Sequence, residues 1–257
     1  MFRLFRFVFK TVVLIKLMAL AFSAGLGAAY LVQLRTQYRS WGLVPNGNER
    51  GVAGDELVEE ADLVETRAID IDAPPDQVWP WLAQLGYGRG GWYSFPALDR
   101  AWTPAGGPPS RRADTILDEF QDLAEGDLVP THPQGGFVAR TVRANEALVL
   151  FLDDEMLREQ MSELVADAAE AVEERGGEAG IDLDMTDMPP YQVTLAFDLE
   201  ELPGGRTRLI ERVRASVDVS ENQKRARPVL AMGLFAFLRS QLEGIKERAE
   251  RDRAVDD

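Results

Sequence analysis

Hydrophobic alternation at residues 66–72 passes directly into a helical stripe and then a glycine-rich turn. Ile69 and Ile71 alternate with Asp70 and Asp72, the period of two that marks a half-buried strand. Pro74, Pro75 and Asp76 then open a helix, where an acid suits the positive end of the helix dipole. Val78, Trp81, Leu82 and Leu85 fall at i, i+3, i+4 and i+7 and form one apolar stripe. Pro80 predicts a kink within that helix, and Gly86 predicts its end. By Phe95 the chain has added Gly86, Gly88, Gly90 and Gly91 together with Tyr87, Trp92, Tyr93 and Phe95. Such a turn either lets backbone and rings approach a bound molecule closely or packs as a tight corner of core aromatics.

Elsewhere the pattern predicts an anchor, several strands, an insertion and a terminal helix. Residues 11–34 are almost wholly apolar, roughly 36 Å as a helix, which is enough to cross a bilayer with some tilt. Lys16 interrupts the run near its end, where its stem can snorkel to the headgroups. A cleaved signal peptide is the rival reading; the length of the run favours a retained anchor over residues 1–37. Arg3, Arg6, Lys10 and Lys16 before the core of the span outnumber Arg35 and Arg39 after it, which favours a globular domain outside the cytoplasm by a margin that Arg50 narrows. Residues 38–64 lack periodicity and read as a juxtamembrane linker.

Residues 96–112 are irregular, 116–120 form a short helix or extended piece, and 128–132 form a strand. Residues 136–143 and 146–152 make a hairpin about Ala144 and Asn145, with Phe137, Ala139 and Thr141 on one face. Residues 153–190 then hold 13 acids and 2 bases, with Leu157, Met161, Leu164, Val165, Ala168 and Val172 at helical spacing. Asp182, Asp184 and Asp187 lack the glycine and glutamate offsets of a calcium loop. Residues 191–202 and 206–219 are the clearest strand pair, turned by Pro203, Gly204 and Gly205. From 227 to about 251 a long helix sets Leu230, Leu234, Phe237, Leu238, Leu242 and Ile245 toward one side.

Composition narrows the chemistry. The 257 residues include no cysteine, which excludes disulfides, thiolate nucleophiles and cysteine zinc sites, and His132 alone excludes a multi-histidine metal centre. All 43 acids and only 22 of the 28 bases follow residue 40, an imbalance that argues against a broad nucleic-acid interface. Scarce lysine with abundant acid also suits a surface adapted to high salt. No nucleophile elbow, phosphate loop, zinc-binding helix or dinucleotide fingerprint is present, so no catalytic residue, metal or cofactor is assigned.

The run Ala73-Pro74-Pro75, Val78-Trp79-Pro80-Trp81-Leu82, Gln84, Gly86, Gly88-Arg89-Gly90-Gly91 and Tyr93-Ser94 resembles the opening of the START-like (SRPBCC) superfamily, in its polyketide cyclase-like branch. The resemblance implies an α+β helix-grip fold, a curved antiparallel sheet around a long C-terminal helix with an apolar cavity between them. It extends over residues 65–252, and the acidic helical insertion 153–190 departs from it. Candidate ligand-binding residues are Trp81, Arg89, Trp92, Tyr93, Glu119, Tyr191, Phe197, Arg212 and Arg214. On the strand 206–219, Ile210, Arg212 and Arg214 share one face, and Leu209, Glu211 and Val213 the other. The two arginines either point inward, with Glu119 or Asp122 as partners and a ligand's carboxylate or phenolate to orient, or lie on the solvated convex side paired to surface acids.

Three functions follow from this reading. The first is a membrane-anchored domain that binds a lipid, isoprenoid or polyketide-like molecule without chemistry. The second is a cyclase- or dehydratase-like enzyme using His132, Glu119, Asp122 or an inward arginine. The third is an interaction protein whose partner meets the acidic insertion.

Overall fold

The computed structural model describes residues 37–38, 40–44, 47, 49–94, 112–132, 135–160, 190–217 and 227–256. The chain divides into two compact units, Met1–Trp41 and Gly42–Asp257. In the first, the Trp41 amide donates to the Gln37 carbonyl at 2.8 Å, closing one turn. The apolar run 11–34, and with it the expected anchor, lies outside the described residues. Among the described residues no helix is long and apolar enough to cross a membrane.

The second unit contains strands β1 (Leu63–Ile71), β2 (Leu128–His132), β3 (Gly135–Arg143), β4 (Ala147–Asp153), β5 (Tyr191–Leu202) and β6 (Arg206–Val217), with helices α1 (Pro75–Ala83) and α2 (Arg227–Asp256). The strands form one sheet in the order β1-β6-β5-β4-β3-β2, and each neighbouring pair is antiparallel. Helix α2 packs on β1 and β6, and α1 packs on α2 and on β5 and β6. This is the helix-grip arrangement. Asn145 takes the left-handed conformation (φ 64°) at the β3–β4 turn, as a short polar residue can. Residues 154–160 continue from β4 as a helix, and Gln160 exchanges two hydrogen bonds with the Gly136 backbone at 3.0 and 3.1 Å. The rest of the acidic insertion lies outside the described residues.

Helix α1 starts on Pro75 with Asp76 in its first turn, as the sequence predicts, but ends at Ala83 rather than near Gly86. Its last carbonyls find partners in the following loop: the Gly90 amide donates to Gln84 O at 2.6 Å and Arg89 Nη2 donates to Ala83 O at 2.8 Å. The helix therefore stops where Gln84 and Arg89 can satisfy it.

Strand β4 is buried on both faces over Ala147–Phe151, so cover is needed on both sides of the sheet. One face meets α2 and α1. On the other, Val149, Ala196 and Ile210 form a cluster with Val52, against which Ala53, Leu57 and Ala68 pack. Residues 42–44, 47 and 49–62, read from the sequence as part of a linker, are thus a strap across the back of the sheet. Gly54 shows how close it lies: a Cβ there would sit 2.4 Å from Val149 Cγ1, and its φ is +84°. The Ala68 amide donates to Gly42 O at 2.9 Å, which meets the open edge of β1.

Arg212 and Arg214 fasten the strap. Both point to this back face, and Arg212 is buried rather than solvated. Arg212 Nε donates to Thr66 Oγ1 at 3.0 Å, while its Nη1 and Nη2 reach the Asp55 carboxylate and Gly47 O. Arg214 donates to Val58 O at 2.8 and 3.0 Å and to Glu59 O at 3.0 Å. Removing the guanidinium would take from Asp55, Thr66 and Gly47 the hydrogen bonds it donates to them. We expect Arg212→Met to lower unfolding stability by about 3 kcal/mol and Arg214→Met by about 1 kcal/mol. Urea midpoints measure both, and an unchanged midpoint for Arg212→Met would show that the strap is held by something else.

Candidate ligand-binding site

The glycine turn after α1 is a compact knot that places one tyrosine. Gly86 and Gly91 bridge each other, with amide-to-carbonyl distances of 3.0 and 3.3 Å. Pro130 O, on β2, accepts from the Tyr87 amide at 2.6 Å and from Trp92 Nε1 at 3.2 Å. Proline is tolerated there because β2 is an edge strand. Tyr93 follows with φ 54°, an unusual conformation for a bulky residue, and is fully buried.

Three groups hold that conformation. Gln84 Nε2 donates to Tyr93 Oη at 2.7 Å, and Gln84 Oε1 accepts from the Leu117 amide at 2.9 Å. Trp81 meets the Tyr93 ring edge-on, with centroids 5.8 Å apart. The Arg248 guanidinium, from α2, lies 4.8 Å from the ring centre while donating to Ala113 O, Gly244 O and Asp114 at 2.9 Å each. Gly244 lets α2 come this near, since a Cβ would sit 2.4 Å from Tyr93 O. Burial pushes the Tyr93 phenol up to about 12, offset in part by the Gln84 hydrogen bond, so it stays protonated.

The sheet contributes a row of facing residues beneath the helices. Register sets Arg67 of β1 beside Glu211 of β6, then Phe197 of β5 and Leu148 of β4. Arg67 lies over the Phe235 ring of α2 at 5.0 Å, which identifies this as the helix-facing side. Arg67 also pairs with Glu65, two residues back on the same strand face. Val213, Leu195, Leu150, Leu209 and Ile245 add apolar walls. Along α2 it is Phe235, Leu238, Leu242 and Ile245 that are fully buried; Leu234 and Phe237, expected on that face, are half-buried.

Several polar groups in this layer have no hydrogen-bond partner among the described residues. Both carboxyl oxygens of Glu211, both amide atoms of Gln241 and Trp81 Nε1 are buried without a hydrogen bond among the described residues. Glu211 is the strongest case. It is fully buried, and desolvation pushes its carboxyl well above the usual 4.5. Gln241 sits on α2 one turn before Gly244 and two before Arg248, the residues that pack on Tyr93. Trp81 reaches the same region from α1.

The structure gathers some of the expected site residues and scatters others. Trp81 and Tyr93 touch, and Phe197 lies on the helix-facing side of β5. Tyr191, half-buried at the start of β5, gives its amide to Asp154 at 3.2 Å. Burial and the Asp154 and Asp153 carboxylates push its phenol up to about 12. Trp92 packs edge-on against Phe137 at 6.1 Å. Arg89 stacks on Phe120 at 4.7 Å and caps α1, so its guanidinium serves the turn. Glu119 and Asp122 are exposed, and Arg212 and Arg214 take strap groups instead. The His132 side chain lies outside the described residues. Gln241, Gln84 and Arg248 are residues that sequence pattern passed over, and Glu211, which stood out with Arg212 and Arg214, was not among the ligand-binding candidates. Glutamate at an alternating apolar position of β6 was the one available signal.

Fold and site together define an α+β helix-grip domain whose inner layer is apolar apart from a few buried polar groups. No family model matches the sequence, and no curated protein matches it. Among solved structures, a hypothetical protein from Helicobacter pylori aligns over 78% of this chain and 96% of its own, at 11% identity and a TM-score of 0.40. A protein from Mesorhizobium loti aligns over 73% and 98%, at 16% identity and a TM-score of 0.32. An aromatase/cyclase from Streptomyces aligns over 74% and 94%, at 11% identity and a TM-score of 0.30.

The Glu211 carboxyl yields a pH signature. Its folded-state proton is bound more tightly than in the unfolded chain, so wild-type stability falls as pH rises above the usual 4.5. Glu211→Gln carries no such proton. Its stability relative to wild type should therefore increase as pH rises above the usual 4.5, and level off once the folded carboxyl ionises. A pH-independent difference in urea midpoints would contradict a buried, protonated Glu211.

Proposed function

We propose that this protein binds a small, mostly apolar molecule between the helix-facing side of the sheet and helices α1 and α2. The observation that carries the reading is the set of buried polar atoms on Glu211, Gln241 and Trp81 that have no hydrogen-bond partner among the described residues, in a mostly apolar layer. Folded proteins pair nearly all such atoms, and a ligand with an apolar body and a few polar atoms is the partner that a concave, apolar site takes. The surroundings support binding over catalysis: Glu119 and Asp122 are exposed, and Arg212 and Arg214 are engaged on the opposite face. A molecule of this kind partitions into bilayers, which suits a domain tethered by residues 11–34, with the domain on the outer side as the basic residues flanking that run suggest.

Two experiments test this. Protein purified gently should release an apolar molecule in native mass spectrometry, and delipidated protein should take up Nile red saturably. A ligand at 100 times its Kd should add about 2.7 kcal/mol of stability. Absence of both a co-purifying molecule and saturable dye uptake would dispose of the proposal. For the tether, the full chain should stay in carbonate-washed membranes while a chain lacking residues 1–36 is recovered in the supernatant; equal partition of the two would remove it.

A further inference from the structure

We infer that Glu211, with Gln241 and Trp81, reads the polar end of the bound molecule and selects a neutral oxygen group, an alcohol or a ketone, over a carboxylate or an ammonium. This rests on the binding function proposed above and names the class of ligand.

The argument starts from the charges around Glu211. Its register neighbour Arg67 is engaged with Glu65 and stacked on Phe235, so the local positive charge already has its counter-charge. Its other neighbour, Phe197, is apolar. Glu65, Arg67 and a protonated Glu211 together carry no net charge. A carboxylate-ended ligand would introduce a buried charge without a counterion, an arrangement that proteins avoid.

The donor inventory decides between oxygen and nitrogen. A protonated Glu211 offers one O–H, Gln241 an amide N–H pair and Trp81 an indole N–H. All three are buried donors in need of acceptors. An alcohol or carbonyl oxygen has two lone pairs and so can receive two of them at once, whereas an ammonium has none and would leave the Trp81 and Gln241 donors unmet. An alcohol also donates its own proton to the Glu211 carbonyl oxygen or to Gln241 Oε1. A purely hydrocarbon end would leave every one of these groups unsatisfied.

The test is displacement of Nile red from the full-length protein by decanol, decanone, decanoate and decylamine. In wild type, decanol and decanone should compete at concentrations about tenfold below those needed by decanoate or decylamine. Glu211→Gln keeps a neutral donor and acceptor and should keep this order. Glu211→Leu should still bind the dye but lose about tenfold in affinity for decanol. Equal competition by all four, an advantage for decanoate or decylamine, or an unchanged order in Glu211→Leu would each overturn the inference while leaving apolar binding intact. Failure of the wild type to bind the dye at all would overturn the binding function as well. The wild-type series is decisive even where Glu211→Leu does not fold.

Discussion

A guanidinium in the middle of an apolar sheet face is stable only when its donors are met, and Arg212 imposes that requirement on the whole domain. Thr66 lies on the neighbouring strand, but Gly47 and Asp55 belong to the strap. The strap is ordered by the arginine it satisfies, and the arginine is tolerated because the strap excludes water around it. The same contacts cover Val149, Ala196 and Ile210, which would otherwise form an exposed apolar patch. The folded unit therefore reaches upstream of β1 to Gly42.

Adjacent residues of β6 meet opposite fates. Arg212 points to the back of the sheet and is fully engaged, whereas Glu211 points to the helices and has no partner among the described residues. Alternation along one strand separates an architectural charge from a site group by a single residue. Across the sheet, Arg67 is neutralised by Glu65 and shielded by Phe235. What remains facing the helices is a mostly apolar layer with hydrogen-bonding capacity left over among the described residues.

Local pattern made much of the architecture legible. The strand at Ile69 and Ile71, the α1 start at Pro75 and Asp76, the β3–β4 hairpin about Asn145 and the β5–β6 pair all depend on neighbours a few residues apart, and all are found. The site was less legible. Trp81, Tyr93 and Phe197 stood out because large aromatics are conspicuous, yet Arg89, Arg212 and Arg214 stood out equally and serve the turn and the strap. Gln84 and Gln241 carry no pattern at all, since an amide has the same appearance in a sequence whether it is solvated or buried.

By itself the sequence determined the order of elements and the alternation that places Arg212 and Glu211 on opposite faces of β6, because periods of two and 3.6 are properties of neighbouring residues. Only the tertiary structure decided which of those faces looks toward α2, that residues 42–44, 47 and 49–62 cover the other, and that Glu211 is left without a partner among the described residues. Those outcomes depend on what packs against each face from segments more than a hundred residues away, as Arg212 on Asp55 and Arg248 on Tyr93 illustrate. Burial and hydrogen-bond satisfaction are set by such distant contacts, and no local periodicity encodes them.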